Sequence, residues 1–370
     1  MKEYRTKNLQ YILYFVIFFV VFALALTFFS RLVEPKYISY AREGNLISEY
    51  YAEVDSGRRH DVVMIGDCEA YSAFVPPVLY EKYGIRSFVR GSPSQSVAQS
   101  YYLLCETLKY EKPRAVVFSV YALSKEEKPS EPYNRMTLDG MRMSREKVLA
   151  VRASMNGGES MASYFLPLLR FHSRIFELEG EDFRYIFDRP KVSHNGYFLE
   201  TAVVPGGELS ENDGEGGSIP SENLAYLEAM ADVCRESGVE LILVKTPISS
   251  WRYPWSSETE RELARFAESK NLSYYNLIEV AVEIGIDLSR DTYDGGLHLN
   301  VYGAEKVTAF FGAILSEKHD INGERNNAWD EKVDRYYNEK DAGETRGRRA
   351  TFLKESSKEL SEYWVLTKVR

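Results

Sequence analysis

The chain opens with one long hydrophobic run, and the remainder alternates between short hydrophobic segments and longer amphipathic ones. Residues 9–30 contain no charged side chain. A helix of about 20 residues is roughly 30 Å long, which matches the hydrocarbon core of a bilayer. The run is hydrophobic on every face, unlike a helix that packs one side on a soluble core. The pattern therefore predicts a transmembrane helix at residues 9–30.

The flanks of this run predict its orientation. Lys2, Arg5 and Lys7 precede it, and positive flanks favour the cytoplasmic side of a membrane. We expect residues 1–8 to be a cytoplasmic tip, residues 9–30 an uncleaved signal anchor in the cell membrane, and the C-terminal domain to be extracytoplasmic. A cleaved signal peptide is the alternative, but the run is long for one and no small-x-small cleavage site follows. The few cysteines indicate a bacterial exterior.

Beyond a polar connector at residues 31–60, α/β alternation extends over residues 61–317. The segments HDVVMIG, IRSFVRG, RAVVFSVYAL, VELILVKTP and LSYYNL each predict a strand, and amphipathic helical segments separate them. Nearly continuous hydrophobic strands are typical of parallel sheets covered on both faces. We predict a three-layer α/β sandwich with a mostly parallel sheet.

Two regions depart from this alternation. Residues 123–220 contain helical pieces and a Gly- and acid-rich loop, which we interpret as an insertion that caps the sheet domain. Residues 318–370 carry dense charges of both signs, typical of a solvated helical or loosely ordered tail.

Composition excludes some classes of function. The formal net charge of -9, without a dense basic patch, argues against nucleic acid as a partner. Three cysteines are too few and too scattered for a disulfide framework or a zinc site. Cys105 and Cys234 fall in amphipathic helices, where we expect buried thiols. No spacing of His, Asp and Glu indicates a metal site, and we predict no cofactor.

Cys68 has a different setting. It follows Gly66 and Asp67 directly after the first predicted strand, where a tight turn into a helix places a side chain at the carboxyl edge of the sheet. Ligands bind at this edge in open α/β folds, and the first amides of a helix stabilise anions, a thiolate included. A buried cysteine at the end of a strand is the alternative.

The segment DGGLH precedes the last predicted helix of the sheet domain. Its Asp294 and His298 are the residue types of the orienting carboxylate and the general base in a nucleophilic triad. Asp291 is an alternative partner for the same histidine, since spacing alone does not choose between the two carboxylates.

Weaker candidates lie in three other loops. After the second strand, the Gly91 amide is a candidate oxyanion donor, with Gln95 or Ser92 adding a side-chain donor; an ordinary βα turn is the alternative. His172 in the insertion, and Trp251 and Trp255 after the fourth strand, are candidates for contact with a substrate such as a sugar. Ordinary packing is the alternative for these three residues.

Taken in order, these elements resemble the SGNH/GDSL hydrolase superfamily, in particular a group of bacterial membrane-anchored proteins related to those assisting D-alanylation or O-acetylation of cell-envelope polymers. The phrases DVVMIGDCEAYSAF, FLPLLRFHSR and YDGGLHLNVYGAEKV carry the resemblance, which covers about residues 50–315. It implies Cys68 as the nucleophile in place of serine, His298 as the base and Asp294 as the orienting acid. The chain departs from the superfamily after the third strand, where FSVYALS replaces the G-x-N-D that supplies an oxyanion asparagine.

The resemblance implies an extracytoplasmic acyltransferase or esterase that modifies an envelope polysaccharide or a teichoic-acid-type polymer. It also implies a multi-spanning membrane O-acyltransferase as the partner that delivers the acyl group. A thiolate beside a histidine is a competent acyl acceptor, and its thioester passes readily to a hydroxyl. The cysteine and the missing asparagine leave open the alternative, a catalytically inactive glycan-binding or assembly subunit.

Overall fold

The computed structural model describes residues 2–35, 40–187, 191–207, 209, 217–248 and 255–346. Its internal contacts divide the chain into two compact units. We call residues 1–37 with 158–191 the anchor unit, and residues 38–157 with 192–370 the sheet unit.

A five-stranded parallel sheet forms the centre of the sheet unit. The strands are β1 (Val62–Gly66), β2 (Ser87–Gly91), β3 (Ala115–Ser119), β4 (Glu240–Lys245) and β5 (Ser273–Asn276). Their order across the sheet, β2-β1-β3-β4-β5, is that of flavodoxin-like doubly wound folds. Gly66 pairs with Gly91, so the carboxyl ends of β1 and β2 lie side by side. The predicted mostly parallel sheet is confirmed.

Helices connect and cover the strands, and further helices lie in the anchor unit. In chain order the described helices are α1 (Lys2–Val33), α2 (Tyr40–Asp55), α3 (Cys68–Ala73), α4 (Pro76–Tyr83), α5 (Val97–Tyr110), α6 (Glu131–Leu138), α7 (Arg145–Ser154), α8 (Met161–Phe165), α9 (Leu168–Phe171), α10 (Gly180–Phe187), α11 (Ser221–Ser237), α12 (Ser257–Lys270), α13 (Ala281–Ile284), α14 (Val301–Lys318) and α15 (Asn327–Arg346). Turns of 3-10 helix lie at Val120–Ser124 and His172–Phe176.

Hydrophobic side chains cover the sheet on both faces, because successive residues of a strand point to opposite sides. On β1, Val62 and Met64 belong to one buried cluster, which includes side chains of α3, α4 and α14. Val63 and Ile65 belong to a second cluster, with side chains of α5, α11 and α12. This alternation explains why the strands read as continuous hydrophobic segments, and the predicted three-layer sandwich is confirmed.

Two segments predicted to lie outside the sheet domain are packed into the sheet unit. Helix α2 lies within the predicted connector, yet its Tyr50 is fully buried. Helix α15 lies within the predicted tail, and its Tyr336 is fully buried. Lys332 of α15 forms an ion pair with Glu53 of α2 at 2.6 Å, so two helices from opposite ends of the described chain meet. Buried side chains at helical spacing are hard to recognise among many charges, so the sequence predicts only a polar connector and a solvated tail for these two segments.

The anchor unit contains α1 and part of the predicted insertion. From Asn8 to Val33, α1 is long and apolar enough to cross a membrane, so it is a candidate membrane span or signal anchor. Helix α9, the turn His172–Phe176 and helix α10 pack against α1. The insertion predicted at residues 123–220 is therefore divided, because residues 158–191 belong to the anchor unit and the rest to the sheet unit.

Candidate active site

Cys68 is the first residue of α3 and follows the turn that ends β1. The turn requires the glycine at position 66, because a Cβ there would lie 2.6 Å from the Cβ of Ser119 on β3. Asp67 caps α3 by accepting a hydrogen bond from the Glu69 amide at 3.3 Å. That amide is therefore already used by the protein, and the predicted binding of an anion by the first helical amides does not extend to Glu69.

The loop before α14 carries Asp294 and His298. Gly295 and Gly296 lie between them with φ values of 85° and 103°, in the left-handed region that favours glycine. The turn lets the Asp294 carboxylate accept hydrogen bonds from the His298 amide at 2.9 Å and from the His298 Nδ1 at 2.5 Å. The Tyr293 ring stacks on the imidazole, with centroids 5.5 Å apart. The loop thereby holds the imidazole in one orientation.

Asp291 was the alternative partner for the histidine, and its carboxylate lies elsewhere. Its Oδ2 accepts hydrogen bonds from Lys306 Nζ at 2.6 Å and from the Asp287 amide at 2.8 Å. In this structure the carboxylate bonded to His298 is therefore that of Asp294.

The two loops bring three ionisable side chains together at the carboxyl edge of the sheet. The Cys68 sulfur, a Glu69 carboxylate oxygen and a His298 ring nitrogen all lie within 4.8 Å of one another. Burial opposes a positive charge on His298. Attraction to Cys68 and Glu69 and the hydrogen bond to Asp294 outweigh burial and raise the pKa of His298 well above the ordinary histidine value. The site therefore favours an imidazolium close to the Cys68 sulfur.

Glu69 was not recognised from the sequence. Its side chain is 1% exposed, and its Oε1 lies 3.7 Å from His298 Nε2. Burial raises the pKa of Glu69 to about 8, because the positive charge of His298 only partly offsets burial and the repulsion from Asp67 and Asp294. Its Oε1 makes no hydrogen bond within the described residues. The one signal in the sequence is its position next to Cys68 in the first turn of α3.

A lysine also lies beside the site. Lys125 Nζ is 3.2 Å from Oδ2 of Asp67. Burial opposes its charge, but attraction to Asp67 and Cys68 outweighs burial and raises the pKa of Lys125. Lys125 follows the 3-10 turn after β3, in the segment where the expected asparagine is missing. This segment therefore contributes a cation to the site.

Three of these side chains are also potential metal ligands. Cys68, Glu69 and His298 offer a sulfur, an oxygen and a nitrogen, a set that Zn²⁺ accepts. Asp294 behind the histidine matches the carboxylate that commonly orients a histidine bound to zinc. No sequence spacing predicts this set, because its members come from two loops far apart in the chain.

The predicted oxyanion donors lie in a tightly packed turn. Ser92 and Gln95 are fully buried, and the serine hydroxyl donates to the Gln95 side chain at 3.1 Å. The Gln95 amide group donates to the Arg90 carbonyl at 3.3 Å and to the Ser100 hydroxyl at 3.0 Å. These two side chains therefore make hydrogen bonds inside the protein, which favours the alternative of an ordinary βα turn. For Gly91, the predicted role of its amide stays a prediction.

The three residues predicted to contact a substrate, Trp251, Trp255 and His172, lie in different surroundings or outside the described residues. Trp255 is 2% exposed and donates from Nε1 to Glu260 at 2.7 Å, with Lys245 Nζ 4.7 Å from its ring centroid. The ring is packed inside the sheet unit, which favours the alternative of ordinary packing. Trp251 lies outside the described residues. His172 is exposed in the anchor unit, and its contact with a substrate stays a prediction.

Comparison with known proteins finds similarity in fold. No family model matches the chain, and no curated protein matches its sequence. A lipolytic protein of the G-D-S-L family from Desulfitobacterium hafniense is 13% identical with a TM-score of 0.38. The match covers 70% of this chain and 100% of the other protein. A GDSL-like lipase from Bacteroides thetaiotaomicron is 11% identical with a TM-score of 0.36, covering 74% and 99%. A lipase/acylhydrolase from Enterococcus faecalis is 12% identical with a TM-score of 0.36, covering 72% and 100%.

These similarities concern the fold alone. The predicted α/β fold is confirmed by the sheet itself, whose strand order is that of a flavodoxin-like sheet. The chemistry of this chain has to be inferred from its own side chains.

Proposed function

We propose that Cys68, His298 and Asp294 form the triad of an SGNH-like acyltransferase or esterase. The observation that carries the proposal is the position of three groups at the carboxyl edge of the sheet. The Cys68 sulfur lies within 4.8 Å of a His298 ring nitrogen. The Nδ1 of the same ring is bonded to the Asp294 carboxylate at 2.5 Å. A nucleophile, a base and an orienting carboxylate in this arrangement are the parts of a covalent acyl-transfer mechanism.

In the first half-reaction the Cys68 thiolate attacks the carbonyl carbon of an acyl donor, and the carbonyl electron pair moves to its oxygen. When this intermediate collapses, the bond to the leaving group breaks and the leaving group takes the proton of the His298 imidazolium. The products are a Cys68 thioester and a neutral imidazole. Asp294 keeps the ring oriented and stabilises its cationic form.

In the second half-reaction an acceptor hydroxyl gives its proton to His298 and attacks the thioester carbonyl. The carbon–sulfur bond breaks, Cys68 leaves as the thiolate, and His298 is again the imidazolium. A polymer hydroxyl as acceptor gives transfer, and water gives hydrolysis. Thioesters react readily with hydroxyl groups, which favours transfer over storage of the acyl group.

Glu69 fits the role of the missing oxyanion donor. With a pKa of about 8, its carboxyl group is mostly protonated at neutral pH. A protonated carboxylic acid can donate a hydrogen bond to an oxyanion, as carboxylic acids kept neutral by burial do elsewhere. Its buried Oε1 makes no hydrogen bond within the described residues. We propose that Glu69 assists the backbone amides of Cys68 and Gly91 in stabilising the intermediate.

We further propose that the acceptor is an envelope polysaccharide or a teichoic-acid-type polymer. The candidate span α1 supports a protein held at the cell membrane, and the basic residues before it support an extracytoplasmic sheet unit. The sequence phrases shared with membrane-anchored envelope proteins support a multi-spanning membrane O-acyltransferase as the partner that supplies the acyl group.

A catalytically inactive glycan-binding or assembly subunit is the second candidate. It is favoured by the absence of the expected asparagine after β3 and by the internal hydrogen bonds of Gln95. In that case the site would hold a sugar or a partner without forming a covalent bond.

Acylation of the intact protein distinguishes the two candidates. After incubation with an activated ester such as p-nitrophenyl acetate, mass spectrometry should find one acetyl group, located on Cys68. Cys105 is the matched control, because it is also half-buried and burial raises its pKa. We expect no acetyl group on Cys105, and addition of a teichoic-acid-type polymer should remove the label faster than water alone.

Two outcomes would contradict the proposal. A folded protein in which Cys68 stays unlabelled would leave the binding subunit as the function. Equal labelling of Cys68 and Cys105 would show ordinary thiol reactivity without a catalytic site.

A further inference from the structure

The anchor unit has a hydrophobic surface that the acyl-transfer proposal does not use. We propose that residues 168–187, which we call the interfacial segment, lie in the polar–apolar boundary of a bilayer beside the end of α1. The segment comprises α9, the turn His172–Phe176 and α10. A lipid surface would cover the exposed hydrophobic side chains of this segment. The inference rests on α1 crossing a membrane and is independent of the chemistry at Cys68.

The interfacial segment packs where α1 is expected to leave the hydrocarbon core. The apolar part of α1 has 26 residues, about 39 Å at 1.5 Å per residue, against roughly 30 Å of hydrocarbon. About one to two turns therefore extend beyond the core. Ser30, Leu32 and Val33 in the last turns are buried, whereas most of α1 is exposed. The elements that pack on α1 are those of the interfacial segment.

Arg174 joins the segment to the end of α1. Its Nη1 donates to the carbonyls of Val33 and Glu34 at 3.0 and 2.9 Å. Its Nη2 donates to Asp182 at 3.1 Å, and both side chains of this ion pair are largely buried. The last carbonyls of a helix lack partners within the helix and carry partial negative charge, so an arginine stabilises them. The joint therefore holds the segment at a defined height on α1.

The segment exposes large hydrophobic side chains. Phe176 is 91% exposed and Phe187 is 83% exposed, and Leu169, Ile175 and Phe183 are also exposed. Within the described parts of the chain, every exposed phenylalanine lies in the anchor unit. A concentration of exposed apolar and aromatic side chains in one short segment marks a surface that is covered in the functional protein. Its continuity with a candidate membrane span identifies lipid as the cover.

The charges of the segment do not favour attraction to anionic lipids. Its anionic residues outnumber its cationic ones. The cationic residues are Arg170, Arg174 and Arg184, and the anionic residues are Glu177, Glu179, Glu181 and Asp182. Polybasic surfaces bind anionic membranes by charge, whereas this segment has no excess of positive charge. Binding should therefore depend on insertion of the phenylalanine rings and hardly on lipid charge.

Tryptophan fluorescence in vesicles tests the proposal on the full chain. Phe176→Trp and Phe187→Trp place the probe in the segment, and Val282→Trp is the matched control, because Val282 is 90% exposed but lies in the sheet unit. Leu13→Trp in α1 reports membrane insertion. Each variant is reconstituted in phosphatidylcholine vesicles with or without brominated acyl chains, and the signal of the parent chain is subtracted.

We expect bromine to quench the probes at positions 176, 187 and 13 at least about twofold and to leave the probe at 282 unchanged. Replacing part of the phosphatidylcholine by phosphatidylglycerol should not change this result. If position 13 is quenched but 176 and 187 behave like 282, lipid does not cover the segment and a protein partner is its occupant. If position 13 is not quenched, α1 is not inserted and the proposal fails with it.

Discussion

A histidine bonded to a carboxylate occurs at both ends of strand β1, and only one of the two pairs has the surroundings of a reactive site. Before β1, His60 Nδ1 lies 2.9 Å from a Glu111 oxygen. At the opposite edge of the sheet, His298 Nδ1 lies 2.5 Å from an Asp294 oxygen. Within the described residues neither Nε2 makes a hydrogen bond of normal geometry. The pairs are thus alike on the Nδ1 side of the ring.

The difference lies beyond the second nitrogen. The His60 side chain is 0% exposed and is surrounded by the aromatic rings of Tyr50, Phe88 and Trp329. The His298 side chain is 12% exposed and lies near the Cys68 sulfur and the Glu69 carboxyl group. A histidine–carboxylate pair therefore identifies a site only when a nucleophile and access to solvent accompany it, and these exist at the carboxyl edge of the sheet.

Replacing each histidine by alanine should give the largest difference between the two pairs. His298→Ala should slow acylation of Cys68 by about 10²- to 10⁴-fold, because the imidazolium that stabilises the thiolate and protonates the leaving group is lost. His60→Ala should leave the acylation rate of the folded protein within about twofold, yet lower the free energy of unfolding by about 3 kcal/mol, since Glu111 loses its buried partner. Release of p-nitrophenol and urea unfolding measure the two effects. A similar loss of rate in both variants would remove the distinction between the pairs.

The buried glutamates beside the two histidines should respond to pH in opposite ways. The pKa of Glu69 is raised from 4.5 to about 8, chiefly by burial. Burial also opposes the charge of Glu111, but hydrogen bonds and attraction from His60 outweigh it and lower the pKa of Glu111. Above about pH 8 the folded protein therefore carries an unfavourable charge at Glu69 and a favourable one at Glu111.

The directions of these two pKa shifts predict how the stability of glutamine variants depends on pH. Since Glu69 destabilises the fold increasingly as the pH rises from about 4.5 through 8, Glu69→Gln should raise the unfolding free energy at about pH 9, by at most about 5 kcal/mol, and hardly change it below pH 4.5. The contribution of Glu111 is present above about pH 4.5 and lost as the pH falls through its lowered pKa, so Glu111→Gln should destabilise at about pH 9. Thermal unfolding at several pH values measures both. Destabilisation of Glu69→Gln at pH 9 would refute the buried, protonated state.

Inhibition by zinc should distinguish the two edges of the sheet by a smaller effect. Zn²⁺ should inhibit acylation of Cys68 reversibly by binding its sulfur together with Glu69 and His298. Glu69→Gln should weaken this inhibition at least about tenfold, because losing a group that merely orients a metal ligand already costs about 10- to 100-fold in affinity. Glu111→Gln at the other edge should leave the inhibition unchanged. Inhibition curves with and without a chelator measure the affinity. Equal inhibition of both variants would place the zinc elsewhere.

The fold was predictable because each strand is a short hydrophobic segment buried on both faces, as Val62 to Ile65 are. Local turns were also predictable, since Gly66 and the pair Gly295 and Gly296 lie where the backbone needs glycine. These features depend on neighbouring residues, which a single sequence displays directly.

The rest depends on contacts between distant segments. Glu69 is ionisable and adjacent to Cys68, yet its importance comes from burial next to a loop near the end of the sheet unit. For Trp255 the sequence leaves substrate contact and ordinary packing open, and the contacts with Lys245 and Glu260 in the interior favour packing. Such outcomes are decided by which side chains meet in space, and the pattern along the chain carries little information about them.

The ion pair between Glu53 of α2 and Lys332 of α15 has a consequence for how the protein is made. The two residues are 279 positions apart, so the sheet unit is complete only when nearly all of the chain has left the ribosome. The candidate span α1 precedes the sheet unit in the chain and is synthesised before it, and domains generally fold during synthesis as their parts become available. A membrane span at α1 would therefore be made before the contact between α2 and α15 can form.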